Sequence, residues 1–165
     1  VTKTAIDGGY KCTCTSPTLK DGSHTISVKA SDNDGNAAAA KTATFTVDTV
    51  PPTLQITAPS NDLITNKKTV TVSGKTDDVS SKPVTVTVNG ATVTVGTDGT
   101  FTKDVTLAEG ANTITIVAKD KAGKTTTVTR KVTVDTSAPV IKSVTLTPHP
   151  VDCGKTFIIA VEITD

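Results

Sequence analysis

VTVTVNGATVTVGTDGTFTKDVTLAEGANTITIVAKDKAGKTTTVTRKVTVDTSAP, residues 84–139, decides the fold. Apolar and polar residues alternate in it with period two, which sends alternate side chains to opposite faces of a strand. Asn89-Gly90, Asp98-Gly99, Glu109-Gly110 and Ala122-Gly123 break the alternation at short intervals. Asn-Gly between two alternating runs is the strongest short hairpin signal, because both residues accept the positive φ that a tight turn demands. Val84, Val86 and Val88 therefore pair back onto Val93 and Val95. Three further strands follow, through Phe101, Val105 and Leu107, through Ile114, Ile116 and Ala118, and through Val128, Val132 and Val134.

Upstream, Leu54, Ile56 and Ala58 make one more alternating run, and Val70 with Val72 another. Seven short strands over residues 52–135 suit an immunoglobulin-like β-sandwich. No segment keeps a helical period. Ala37 to Ala40 falls at a strand-turn-strand position, where a turn or a strand start is expected.

The pattern repeats. Residues 19–36, LKDGSHTISVKASDNDGN, match residues 107–124, LAEGANTITIVAKDKAGK. Leu19 faces Leu107, Gly22 faces Gly110, and Ala30, Asp32 and Gly35 face Ala118, Asp120 and Gly123. Asp7-Gly8-Gly9-Tyr10 likewise matches Asp98-Gly99-Thr100-Phe101. Each copy ends in Val-Asp-Thr, at Val47 to Thr49 and Val134 to Thr136, and a proline follows at Pro52 and Pro139. The period of about 87 residues is the size of one small sandwich. The expected organisation is all-β, tandem immunoglobulin-like sandwiches joined by short Pro-containing linkers. Residues 1–48 are the C-terminal part of a first domain, 52–135 a complete second, and 139–165 the N-terminal part of a third. Pro restrains itself and the residue before it, so the connectors are stiff. Val1 at the start and Asp165 directly after a strand-like run read as the ends of an internal piece of a longer protein.

Composition agrees. Thr is roughly a fifth of the chain, Met and Trp are absent, and Phe and Tyr supply four rings in all. β-Branched residues fit a pleated surface, and so few rings imply a thin aliphatic core. The 17 basic and 16 acidic residues are mixed, with no polybasic run and no aromatic stacking platform, which excludes nucleic acid as a partner. No apolar run is long enough to insert into a membrane. Cys12 and Cys14 lie on one face of one strand, a poor disulfide geometry, and Cys153 lies in another repeat, so three free thiols are expected. Secreted proteins seldom leave odd thiols, a slight tilt toward a particle assembled in the cytosol.

The motifs VNG, DGTF, EGxNTI, AxDxAGN and the closing VDTxxP resemble the bacterial Ig-like repeat named after domain B of glucodextranase. The match covers residues 52–139 well and 7–48 more loosely, with Lys124 standing where Asn is usual. Residues 139–165, PVIKSVTLTPHPVDCGKTFIIAVEITD, are similar to another Ig-like repeat found in phage structural proteins. The resemblance implies a sandwich with a supporting role and transfers no active site. Ig-like surface domains with an internal Lys–Asn isopeptide bond need an amide side chain on the last strand, and residues 124–134 have none. The ester counterpart fails too, since the single Gln, Gln55, sits on the first strand.

Chemistry-bearing residues are few. Asp32-Asn33-Asp34-Gly35-Asn36 alternates oxygen ligands as a calcium loop does, but no bidentate Glu follows and Asp-Gly is an ordinary turn. Asp77-Asp78, Asp98 and Asp7 read as acidic turn residues. His24 and His149 are isolated and read as solvated, without an orienting partner for general-base work. No catalytic, cofactor-binding or metal residue is assigned, and no cofactor is expected. The expected function is a non-enzymatic spacer, decoration or adhesion module of a large bacterial surface or phage virion or tail protein, outside the cell. Its partners are the neighbouring Ig-like domains, with other surface or particle proteins or glycans as further candidates. The alternative is an accessory carbohydrate-binding or linker domain of a secreted polysaccharide-degrading enzyme. That alternative needs exposed rings, so Tyr10 on an open face would favour it.

Overall fold

The computed structural model describes residues 1–147, 149–150 and 153–165, and these contain strands and no helix. β1 (Thr2–Ile6) and β2 (Gly9–Thr13) form one antiparallel hairpin. β3 (Gly22–Val28) and β4 (Lys41–Val47) form a second. Between β3 and β4 the chain makes a turn closed by a bridge from Ser31 to Ala37, so Ala37 to Ala40 lead into the strand.

Next come β5 (Thr53–Ala58), β6 (Leu63–Thr65), β7 (Thr69–Asp77) and β8 (Thr85–Val88). They are followed by β9 (Ala91–Val93), β10 (Thr100–Thr106), β11 (Gly110–Lys119) and β12 (Thr125–Val134). β13 (Val140–Thr147) and β14 (Ile158–Thr164) close the chain as an antiparallel pair. Two sheets face each other within residues 53–134, one in the order β10-β7-β5 and one in the order β6-β12-β11-β8-β9. All seven runs read from alternation are strands. β6 is additional: the chain leaves one sheet after Ala58 and pairs parallel with β12 through Leu63 to Thr65.

Alternation becomes burial between the sheets. Val70, Val72, Thr76 and Gly74 of β7 point inward, opposite Val86 and Val88 of β8, Ile114, Ile116 and Ala118 of β11, and Val132 and Val134 of β12. Ile114, Ile116, Val72, Val86 and Ala118 have no exposed surface. Phe101 closes one end of this aliphatic layer at 3% exposure. Gly74 makes room for it: a Cβ there would lie 2.7 Å from Phe101 Cζ and would also meet the Gln55 carbonyl oxygen. The hairpin turn at Asn89 and Gly90 has φ of 48° and 81°, the doubly left-handed turn that suits the strand twist.

The outer hairpins lack such a layer. Ile26 and Val28 of β3, and Val144, Ile159, Val161 and Ile163 of β13 and β14, are exposed, because a two-stranded ladder has no second sheet to cover its apolar face. Tyr10, in register with Phe101 by sequence, is 62% exposed for the same reason.

Candidate functional site

Three aspartates from three separate strand ends converge where residues 1–48 meet the sandwich. Asp48 follows β4, Asp78 follows β7, and Asp120 follows β11. One carboxylate oxygen from each lies within 4.8 Å of the others, and all three residues are buried, at 8%, 6% and 5% exposure.

Local turn chemistry accounts for half of each carboxylate. Asp48 Oδ1 accepts the Val50 N–H at 3.0 Å. Asp78 Oδ1 accepts the N–H groups of Ser80 and Ser81, at 2.8 and 2.7 Å. Asp120 Oδ1 accepts the Lys124 N–H at 2.8 Å across its tight turn. Short acidic side chains often tie down the backbone two to four residues on, and all three aspartates do so here. The Lys121 N–H, donated to the Ser81 carbonyl at 3.0 Å, clamps two of the loops together.

The other oxygens have no such role. Asp120 Oδ2 is buried and accepts no hydrogen bond, while the buried Asp48 carboxyl has the Ser81 side chain as its polar partner beside the Val50 N–H. The Ser81 side chain, then the Val50 N–H, hold the Asp48 carboxyl below the usual carboxylate range, with Lys124 adding a little at longer range. The carboxylate is therefore the form to be neutralised. Among the described residues the salt bridge present joins Lys82 to Asp77 at 2.8 Å, outside the cluster. The donor set is three hard oxygens, suited to a hard cation and not to zinc, which prefers nitrogen and sulfur.

The first repeat shows what the second lacks. Asp32 stands in the place of Asp120 and accepts N–H groups from Asp34 and Asn36 at 3.1 and 2.7 Å. Its second oxygen takes the Asn36 Nδ2 at 2.8 Å, so both oxygens are engaged and the segment is a closed turn. The Asn36 side chain, then these N–H groups, hold its carboxyl low. Lys124 replaces that asparagine in the second copy and leaves Asp120 Oδ2 open.

Other candidate residues are structural. Asp98 accepts the Thr100 hydroxyl and N–H at 2.7 and 3.1 Å, as a turn residue does. His24 differs from expectation. It is half-buried, stacked on Phe45 with centroids 5.6 Å apart, and its Nε2 meets the Lys20 carbonyl at 2.8 Å, because β3 and β4 place both rings on one face. His149 is exposed. Cys12, Cys14 and Cys153 are free and exposed. The Lys3 ammonium sits 3.8 Å from the Tyr10 ring centroid and covers one face of that ring. A groove of about 370 Å³ runs past Lys75, Asp77, Lys82 and Asp98, without histidine, cysteine or serine in its lining.

The family described as glucodextranase, domain B, matches residues 52–136, just over half of the chain. The chain belongs to the glucodextranase domain B family. A second family, described as bacterial Ig-like domain, matches residues 1–49. Bacillopeptidase F of Bacillus subtilis (strain 168) is 34% identical over 140 residues, spanning 85% of this chain and 9% of that protein. The chain thus spans about a tenth of the length of this curated relative. Among solved structures, the fibronectin(III)-like modules of Clostridium thermocellum CbhA align at 21% identity with a TM-score of 0.42, over 71% of this chain and 64% of that one. A tetra-tandem repeat from the extending region of a large adhesion protein aligns at 24% identity with a TM-score of 0.44, over 87% and 46%. No helix of the described residues is long and apolar enough to cross a membrane.

Proposed function

We propose that this chain is a non-catalytic spacer segment of a longer extracellular protein, a bacterial surface or virion protein, in which Ig-like units set the distance between other parts. The units are residues 1–48, 52–135 and 139–165, and their partners are their own neighbours in the chain. One observation carries the reading: the connector at residues 49–51 is too short and too well tied to act as a tether. On one side the Thr49 hydroxyl donates to Asp21 Oδ2 at 2.8 Å. On the other, Pro52 is buried and its carbonyl accepts the Thr126 hydroxyl. The second connector repeats the device, with Thr136 donating its N–H and hydroxyl to Glu109 at 2.8 and 2.7 Å.

The test is a distance distribution between spin labels at Ser23 and Lys103, with the three cysteines changed to serine. A narrow distribution is expected, broadening when residues 49–51 are replaced by a Gly/Ser stretch of twice the length. A native distribution as broad as that of the Gly/Ser variant overturns the spacer reading.

A second reading has its own observations. The similarity to Bacillopeptidase F and the exposed Tyr10 favour an accessory segment of a secreted hydrolase. Retardation of the chain in a polysaccharide gel, abolished by Tyr10→Ala, would establish a carbohydrate-binding role. Unretarded migration would leave the spacer alone.

A further inference from the structure

We propose that Asp48, Asp78 and Asp120 bind one Ca²⁺ ion, and that this ion joins residues 1–48 to the sandwich of residues 52–135. Acidic residues often cluster without a ligand, so the weight rests on what the cluster leaves open. Asp120 Oδ2 sits in a residue more than nine-tenths buried and accepts no hydrogen bond, and Asp120 offers one of the three carboxylate oxygens that converge within 4.8 Å with those of Asp48 and Asp78. Three carboxylates stripped of water at this separation repel one another and have lost their hydration, a state that needs a counter-charge. The nearby cations do not supply it: Lys82 is engaged by Asp77, and Lys124 only adds weakly to the field at Asp48.

The dimensions select the ion. Ligand oxygens at about 2.3–2.6 Å from Ca²⁺ lie at most about 5 Å apart across the ion, which accommodates the separations seen. Mg²⁺ demands a tighter, near-octahedral set and gives up its waters reluctantly. Three carboxylates from three separate strand ends, with oxygens up to 4.8 Å apart, make a cage wide enough for the larger ion. Because Asp48 belongs to one unit and the other two aspartates to the next, occupancy couples to the joint. Without the ion, repulsion between the carboxylates loosens the joint, which the connector and the Ser81 contact with Asp48 then hold.

This site does not depend on the spacer reading. Ion binding with a broad distance distribution sinks the spacer and leaves the site, while a narrow distribution in a chain that binds no ion does the reverse. The experiment is calorimetric titration of the EDTA-stripped full chain with CaCl₂. One site per chain is expected, with a dissociation constant of about 10⁻⁵–10⁻³ M, from the weak end of sensor sites to extracellular modules, undisturbed by equimolar MgCl₂. Asp120→Asn and Asp48→Asn should each weaken binding at least about tenfold, since each removes one of three ligand charges. Asp32→Asn, in the matching place of the first repeat, should leave binding unchanged. The wild-type chain also gives a readout independent of any variant, because protease cleavage near residues 49–51 should slow when Ca²⁺ is added. No binding heat and no Ca²⁺-dependent protection overturns the proposal, as does binding that survives both variants. Protection brought on equally by acidification without Ca²⁺ also overturns it, since a shared proton then neutralises the cluster.

Discussion

Phe101→Ala tests the core most directly. The ring buries about 100 Å² more apolar surface than an alanine side chain, and at about 25–30 cal/mol per Å² its removal loses about 3 kcal/mol. A cavity penalty of about 1 kcal/mol is added, because the space cannot collapse. One wall of the pocket is the backbone of Gly74, which has no side chain to move in. The expected loss is about 4 kcal/mol, near the middle of the range for emptying an aromatic core site. With a urea slope of about 1–1.5 kcal/mol per M for a unit of this size, the midpoint should fall by about 3 M. The assay is urea unfolding of the full chain followed by far-UV circular dichroism. Phe101→Leu keeps most of the volume and should cost about 1 kcal/mol, which protects the test if the alanine variant does not fold. Tyr10→Ala is the internal control, and a surface ring should cost under about 0.5 kcal/mol. Equal effects at Phe101 and Tyr10, or a Phe101→Ala midpoint within about 0.5 M of wild type, would refute the assignment of Phe101 as the ring that closes the core.

Gly74→Ala should destabilise by about 1–3 kcal/mol through overpacking, and combining it with Phe101→Leu should recover part of the loss; strictly additive urea midpoints would show that the two do not touch. Asn89→Ala removes a side chain that accepts the Thr115 N–H at 2.8 Å and supplies a residue tolerant of positive φ, so a loss of about 1–2 kcal/mol is expected by thermal melting. A neutral result there would mean that the turn re-forms without its asparagine. Glu109 is held below its ordinary pKa by the N–H and then the hydroxyl of Thr136. Its contribution is therefore present above the unfolded carboxylate pKa of about 4.3 and is lost as pH falls through the folded value. Glu109→Gln should lower Tm near neutrality and converge on wild type in acid; a Tm difference that does not change with pH excludes the linkage.

The architecture was legible because it is local. Period-two runs and their Gly-bearing turns mark the seven strands, and the matched Asp-Gly and Val-Asp-Thr landmarks display the repeat. β6 escaped because three residues, Leu63 to Thr65, are too short to show alternation, and their parallel partner lies about 69 residues on. His24 was misplaced because its stacking partner Phe45 comes from the far strand of the hairpin. The aspartate cluster was half visible. Each residue shows a turn role in its own neighbourhood, and that role satisfies one oxygen. The three carboxylates meet only in space, across residues 48 to 120, where no spacing rule reaches. The substitution of Lys124 for the usual Asn was the available signal, because it removes the side-chain donor that occupies the matching oxygen of Asp32 in the first repeat.

The parallel pairing of β6 with β12 bears on how the unit behaves under tension. A pull applied through the two connectors draws the N-terminal end of the sandwich one way and the end of β12 the other. Two strands that run in the same direction, loaded toward opposite ends, slide past each other instead of unzipping. The three rungs from Leu63↔Val132 to Thr65↔Val134 therefore share the load and fail together. A hairpin such as β13–β14, pulled apart from its open end, gives way one rung at a time. The short strand without a sequence signature is thus the latch that takes the load once β5 has left β7.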